Sequence, residues 1–289
     1  RGLVQKYAGR YLVHNPPQLN PSSEELNQYY EIDYTRDVHP YYKKFGDVKA
    51  QDTIKFSITT HRGCYGECSF CTIAVHQGRT VISRSEDSIL GEAESFLGNS
   101  SFKGIITDAG GPTANMYGFE CRKKIEKGAC QDKSCVFPDT CKALKPNHKR
   151  QIDLLAGIRK IKGIKKVFVA SGIRYDLIEG DKTCGDSYIS CIAEHHVSGQ
   201  LKIAPEHISP RVTSLMQKPS VKGLDSFKKK FEEYSLKAGK NQFLTYYLIA
   251  AHPGCSEKEM AELKSYTSDK LKINPEQVQI FTPTPSTIS

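Results

Sequence analysis

From residue 53 onward the chain alternates between two hydrophobic rhythms. Thr53–Thr60, Gly104–Asp108, Lys166–Ser171, Leu201–Ala204, Gln242–Ala251 and Gln277–Phe281 are short runs rich in β-branched and aromatic residues, and they read as six strands. Between them, Ser85–Leu97, Ile152–Ile161, Asp186–His196, Leu224–Ala238 and Glu257–Leu271 carry apolar residues at helical spacing. In the fourth of these helices Leu224, Phe227, Phe231, Tyr234 and Leu236 supply the apolar face. Strand–helix alternation of this kind predicts an α/β fold with parallel strands and right-handed crossovers. Two arrangements satisfy it, a barrel or partial barrel and a doubly wound open sheet. Residues 1–50, rich in Pro, Asn and Tyr, read as a lead-in that wraps the surface of a core spanning 51–289, with one short helix capped by Ser22 or Ser23. Residues 112–147 interrupt the rhythm after the second strand with a Cys-rich, Lys-rich stretch.

The strand ends are where the chemistry gathers. They read His61–Cys64, Asp108–Pro112, Ser171–Arg174, Pro205–His207, His252–Gly254 and Thr282–Pro285, each polar or punctuated by Gly or Pro. In a parallel α/β fold that edge is where ligands bind.

Composition narrows the class. No apolar run approaches the ~20 residues of a membrane-spanning helix, and Arg1–Tyr11 lacks the apolar stretch of a secretory signal. A cytoplasmic protein is expected, and the absent initiator Met suggests a fragment or a processed form. Lys plus Arg number 41 against 32 Asp plus Glu, a formal charge of +9. That favours anionic partners, from phosphorylated metabolites to RNA, although a solvated basic surface has the same arithmetic.

Ten cysteines change the picture more, because outside an oxidising compartment clustered cysteine points to metal rather than disulfides. Cys64, Cys68 and Cys71 form a C-x3-C-x2-C loop directly after the first strand. Three thiolates are one short of a closed tetrahedral zinc or four-iron site. A four-iron cluster held by three leaves one iron open to a ligand; a zinc site would need His61 or His76 as its fourth donor. Cys121, Cys130, Cys135 and Cys141 supply four thiols at looser spacing, enough for a structural zinc or a second iron–sulfur cluster. Arg122, Lys123, Lys124, Lys127, Lys133, Lys142, Lys145, Lys149 and Arg150 make that stretch basic. Cys184, Cys191 and Cys255 read as ordinary buried or half-buried thiols.

The loop from Arg62 to Cys71 resembles the radical S-adenosylmethionine superfamily. His76–Arg79, Ser83–Ser88, Asp108–Tyr117, Leu201–His207 and Ala251–Gly254 look like its YgiQ-type branch, over essentially the whole chain. The resemblance implies a partial barrel of six βα units with a Cys-rich insertion after strand 2, and it marks the chain as the radical core of longer proteins. It implies a [4Fe-4S] cluster on Cys64, Cys68 and Cys71, whose open iron chelates S-adenosylmethionine. An electron passed to the sulfonium then yields a 5′-deoxyadenosyl radical. A reductant such as flavodoxin or ferredoxin follows as a partner.

The family pattern places Phe70 near the adenine. It places Gly110 and Gly111 at the methionine ammonium, where Pro112 replaces the usual acidic residue and Asp108 is the candidate to compensate. The methionine carboxylate falls to Arg174, whose guanidinium meets a carboxylate in a two-point fork, with Ser171 as a second donor. The ribose falls to Glu206, with Lys202 as its structural partner in the plainer reading. His207 and His252 stand as substrate-side or structural histidines. The readings from other classes are a zinc-stabilised basic nucleic-acid-binding module and an electron-transfer protein. Neither would cleave the cofactor.

Overall fold

Leu3–Tyr7 (β1) and Arg10–His14 (β2) form an antiparallel hairpin across Ala8 and Gly9, both at positive φ as a tight hairpin turn requires. A computed structural model describes residues 2–15, 18–275 and 278–289. Ser23–Tyr30 (α1) follows, capped as expected by Ser22, whose side chain and Glu25 form a reciprocal capping box. Pro40–Lys43 (α2) and Lys49–Ile54 (α3) complete the lead-in, so it holds a hairpin and three helices where one helix was expected. The first core strand starts later than its pattern suggests. Thr53 and Ile54 close α3, the Thr53 hydroxyl donating to the Ala50 carbonyl, and the strand proper is Ser57–Thr59 (β3). Ile54 faces solvent while Phe56 and Ile58 are buried, so the core takes up the β-branched run only from its fourth residue.

His61–Arg62 (β4) pairs antiparallel with Ile82–Ser83 (β5), and Ile73–His76 (α4) lies in the loop between them. Glu86–Ser95 (α5), capped by Ser85, leads to Ile105–Ile106 (β6) and Asp108–Gly110 (β7). The Cys-rich stretch holds one short helix, Arg122–Lys127 (α6), and ends at Lys149–Lys160 (α7). Lys166–Val167 (β8), Tyr175–Gly180 (α8), Gly185–Cys191 (α9), Gln200–Glu206 (β9), Pro210–Leu215 (α10), Leu224–Lys237 (α11), Phe243–Ala250 (β10), Glu257–Tyr266 (α12) and Gln279–Ile280 (β11) complete the chain. Helices α9 and α12 each run on into a π-turn, at Ile192–His196 and Thr267–Leu271. Helices α8 and α10 are too short to show a period in the sequence. Of the sixth expected strand, Gln277 lies outside the described residues.

The parallel pairings follow chain order: β3 with β7, β6 with β8, Ile173 with Ile203 as a single bridge, β9 with β10, and β10 with β11. Strands β9 and β10 bury alternate residues along most of their length. Ile58, Ala109, Val167, Leu201, Ile203, Leu244 and Leu248 lie in one core with Ile89, Leu154, Leu155, Ile158, Ile189, Phe227 and Phe231 of the helices. Each of these side chains larger than Ala contributes about 1.5–3 kcal/mol of transfer free energy. Leu224, Phe227 and Phe231 of α11 are fully buried, but Leu236 is 79% exposed. It lies nine residues from Phe227, half a turn off the stripe at 100° per residue, and Ser235 is buried instead, bonded to Gln242. The other face of the strands keeps the polar alternates, and it opens on the site.

Candidate functional site

One cavity of about 510 Å³ collects Cys64, Cys68, Cys71, Phe70, Ser171, Arg174 and Glu206, with Lys202 and Lys218 beside them. Apart from Lys202 and Lys218, these residues stand at or beyond the C-terminal ends of parallel strands. The cysteine loop is braced from its flank. Gly63 sits at φ +89° with any Cβ barred by the Thr80 carbonyl at 2.1 Å. Its N–H donates to Gln77 and the Cys64 N–H donates to the Gly78 carbonyl, while Arg79 pairs with Glu67 at 2.7 Å. A side chain at Gly66 would stand 3.4 Å from Cys64 Sγ, 3.6 Å from Cys68 Sγ and 3.1 Å from the Arg174 guanidinium. The missing Cβ therefore keeps the space between two thiols and a cation open.

Burial pushes the Cys68 thiol up, and Lys218 and Arg174 pull it part of the way back. Burial likewise raises Cys71. The cations therefore favour the thiolate forms that ligation requires. Among the described residues no three His, Cys, Asp or Glu side chains gather around a single point in the way one metal ion demands. Sulfurs on one tetrahedral zinc lie within about 4 Å of each other, given Zn–S bonds of about 2.3 Å. Cys64, Cys68 and Cys71 share one cavity with Arg174 and Lys218. His61 does not supply a fourth donor: its ring is fully buried, hydrogen-bonded to Thr60 at 2.9 Å and to the Thr113 carbonyl at 3.1 Å. His76 stands exposed at the end of α4.

The remaining assignments fare unevenly. Phe70 lines the cavity and packs on Val212, Met216 and Ile249. Gly110 and Gly111 open on a neighbouring cleft of about 240 Å³ with Asp108, Pro112 and Ser171. At Gly111 the close approach is internal, since a Cβ there would meet the His61 ring at 2.6 Å. Asp108 is not free to replace an acidic residue at Pro112. One carboxylate oxygen accepts from the Ala170 and Ser171 N–H groups at 2.7 and 3.1 Å, and the other accepts from the Ser171 hydroxyl. Ser171 lines the cavity with its hydroxyl already engaged in that pair.

Arg174 is 7% exposed, and its fork is closed on Asp176 through Nε at 3.0 Å and Nη2 at 2.7 Å. Burial opposes its charge, but Asp176 and the nearby Cys68 and Cys64 outweigh burial and hold its pKa above the usual value. Glu206 adopts φ +65°, a left-handed conformation costly for a side chain of its size. Its partner is Lys218 at 3.4 Å, not Lys202. Lys218 is 7% exposed and also donates to the Ala204 carbonyl. It comes from an irregular stretch after α10 where Gln217 also turns at positive φ, and no sequence motif marked it. Neither His207 nor His252 lines the cavity: His207 accepts from Ser209 N–H at 3.0 Å, and His252 bonds Ser289 at 3.0 Å.

Behind the first loop, Cys64 and Tyr65 share one apolar cluster with Cys121, Cys135, Cys141, Val136 and Leu144. Cys130 lies outside it, half-buried. Lys124, expected among the solvated basic residues, is 3% exposed, pairs with Glu120 at 3.3 Å and lies over the Tyr65 ring. A buried network also reaches the site from below. Asp181 accepts from His148 at 2.8 Å, Asn115 contacts His148 at 3.2 Å, and Asn115 bonds both the N–H and the carbonyl of Arg174 at 2.8 and 2.9 Å. These three residues lie far apart in sequence, and only their polarity within apolar surroundings hinted at a role.

A family model described as Radical SAM N-terminal matches residues 1–57. A UPF0313 protein of Fusobacterium nucleatum is 55% identical over 289 residues, all of this chain and 51% of its own length. A UPF0313 protein of Clostridium botulinum is 50% identical over 287 residues, 99% of this chain and 44% of its own. The chain thus spans about half the length of these curated relatives. Among solved structures, the radical S-adenosylmethionine methyltransferase TsrM of Kitasatospora setae, with cobalamin and a [4Fe-4S] cluster bound, aligns at a TM-score of 0.53 and 13% identity. That alignment covers 80% of this chain and 38% of TsrM, and it bears on the fold alone. No helix of the described residues is long and apolar enough to cross a membrane. Over its whole length the chain is thus similar to the UPF0313 proteins, and its first 57 residues match the Radical SAM N-terminal model.

Proposed function

We propose that the chain is the catalytic core of a cytoplasmic radical S-adenosylmethionine enzyme. Its six parallel strands would form a partial (β/α)6 barrel, residues 1–50 would wrap that core, and residues 112–147 would be a Cys-rich insertion. The observation that carries the reading is a single cavity that collects three thiols, Cys64, Cys68 and Cys71, with a buried pair of cations beside them. Bound there, a [4Fe-4S] cluster and S-adenosylmethionine would supply reductive cleavage to a 5′-deoxyadenosyl radical.

The chain's own residues do the rest. The three cysteines hold the cluster as thiolates, and Arg174 and Lys218 stabilise their charge. Phe70 offers an apolar edge to the adenine. Glu206, fixed by Lys218, presents carboxylate oxygen to the ribose, and Ser171 and Arg174 border the methionine end with Gly110 and Gly111 behind them. The methionine carboxylate is matched to the cation field of Arg174 and Lys218, rather than to a free arginine fork. A low-potential reductant such as flavodoxin or ferredoxin delivers the electron. Cys121, Cys135 and Cys141, packed behind Cys64, would take a second iron–sulfur cluster or a zinc with Cys130 swinging in.

Anaerobic reconstitution tests the reading. About four irons with matching sulfide per chain and 5′-deoxyadenosine formed with dithionite are expected, and Cys68→Ala should lose the product. Equal product from Cys68→Ala, or zinc without iron, would overturn it. A second cluster would raise the iron count to about eight and would respond to Cys135→Ala instead.

A further inference from the structure

Three cations line the cavity, and two are spoken for: Arg174 by Asp176, and Lys218 by Glu206 and the Ala204 carbonyl. Lys202 joins no ion pair and no side-chain hydrogen bond among the described residues. It projects from the middle of β9, in register with Thr245 of β10, on the strand face that the helices do not cover. Its position is unusual in a second way. Lys202 and Tyr247 line both the cysteine cavity and an adjoining cavity of about 750 Å³ that runs along β9 and β10. The Tyr247 ring lies 3.3 Å from where a Cβ on Gly172 would sit, so that glycine makes room for it. Around the second cavity Gln200, Thr245 and Asn274 add neutral donors, and Phe243 and Tyr247 present half-exposed rings.

We propose that the seam between these two cavities is the substrate site, and that it takes a small phosphate ester whose phosphate is held by Lys202 and the Tyr247 hydroxyl. Calling it the substrate site rests on the radical reading above; its anion chemistry does not. An uncompensated lysine is a point charge suited to phosphate, whereas a planar carboxylate is better met by an arginine fork. The two aromatic faces give the remainder of the molecule an apolar surface, on the side away from the three thiols. A polynucleotide fits poorly, because tracking a backbone takes a row of cations and Lys202 is the one charged residue lining the second cavity among the described residues.

The test uses inorganic phosphate as the probe, in anoxic equilibrium dialysis at low ionic strength without reductant. Saturable binding is expected, weakened at least tenfold in Lys202→Gln and about threefold in Tyr247→Phe, with Lys202→Arg recovering most of it. Lys222→Gln, at an exposed position, serves as the charge control and should bind as wild type does. Thermal melts of each variant separate lost binding from lost folding, and Tyr247→Phe keeps the packed ring in any case. Equal affinity in Lys202→Gln would overturn the proposal. So would displacement of phosphate by S-adenosylmethionine, which would make Lys202 a cofactor residue, and so would RNA binding that outcompetes phosphate. Because dialysis needs neither iron nor turnover, the two readings fail separately: failed reconstitution with intact phosphate binding through Lys202 would sink the radical reading and leave the anion site standing.

Discussion

At the residue scale the site depends on side chains that touch nothing reactive. Arg84 is the clearest. It is 1% exposed, donates to Thr59 O and Ser88 O at 3.0 Å each, pairs with Glu92, and lies 4.2 Å from the Tyr30 ring centroid. One guanidinium thus ties β3, α5 and α1 together. Removing one partner of a buried pair strands the other charge, at about 3–5 kcal/mol. Arg84→Ala should therefore lower the chemical-denaturation stability, by less than that because Arg36 already pairs with Glu92 at 2.5 Å. A loss below 1 kcal/mol would mean that the clamp is not structural. The motif Ser83–Ser88 was legible in the sequence as a family likeness. What it does was not, because a buried arginine is recognisable only once its carbonyl and carboxylate partners are assembled around it.

At the element scale the position of Arg174 is set by the backbone entering α8, and that backbone is held by Asn115. The Asn115 side chain takes both the N–H and the carbonyl of Arg174 and hands the next contact to His148 and Asp181. Asn115→Ala leaves two buried backbone groups and one imidazole nitrogen without partners, at about 1–3 kcal/mol for each group unsatisfied. A loss of roughly 3 kcal/mol or more in denaturant titration is expected, together with a raised apparent Kd for S-adenosylmethionine; wild-type affinity in a folded variant would show that the network does not position Arg174. Periodicity found the long helices and strands because packing enforced it over several turns. It missed α8 and α10, six residues each, and drew the first strand four residues too early, since a β-branched run does not say where burial begins.

For the whole molecule, two buried histidines set the acid limit. Burial lowers His61 and His196 from 6.5 to about 4, while carbonyl contacts to Thr113 and Val167 resist the shift. Both are neutral in either state above pH 6.5. Below it the unfolded chain takes up protons that the folded chain refuses until about pH 4, so stability is fully present above 6.5 and is lost as pH falls through that window. Each group contributes up to about 3 kcal/mol. Glu120, whose pKa burial raises, shifts in the opposite sense and offsets a part. Urea midpoints should fall steeply from pH 6.5 to 4, and His196→Gln should flatten the slope by about one proton; a flat wild-type profile would contradict the burial of both rings. The sequence by itself determined the α/β class, the three-thiol loop and the polar strand ends, because local spacing and alternation fix which residues neighbour one another along an element. Only the tertiary structure decided which charges remain uncompensated. Asp108 and Glu206 are committed to partners many positions away and Arg174 to Asp176 two residues on, while among the described residues Lys202 has no such partner. Ion pairing across a core depends on packing distances that no local pattern encodes.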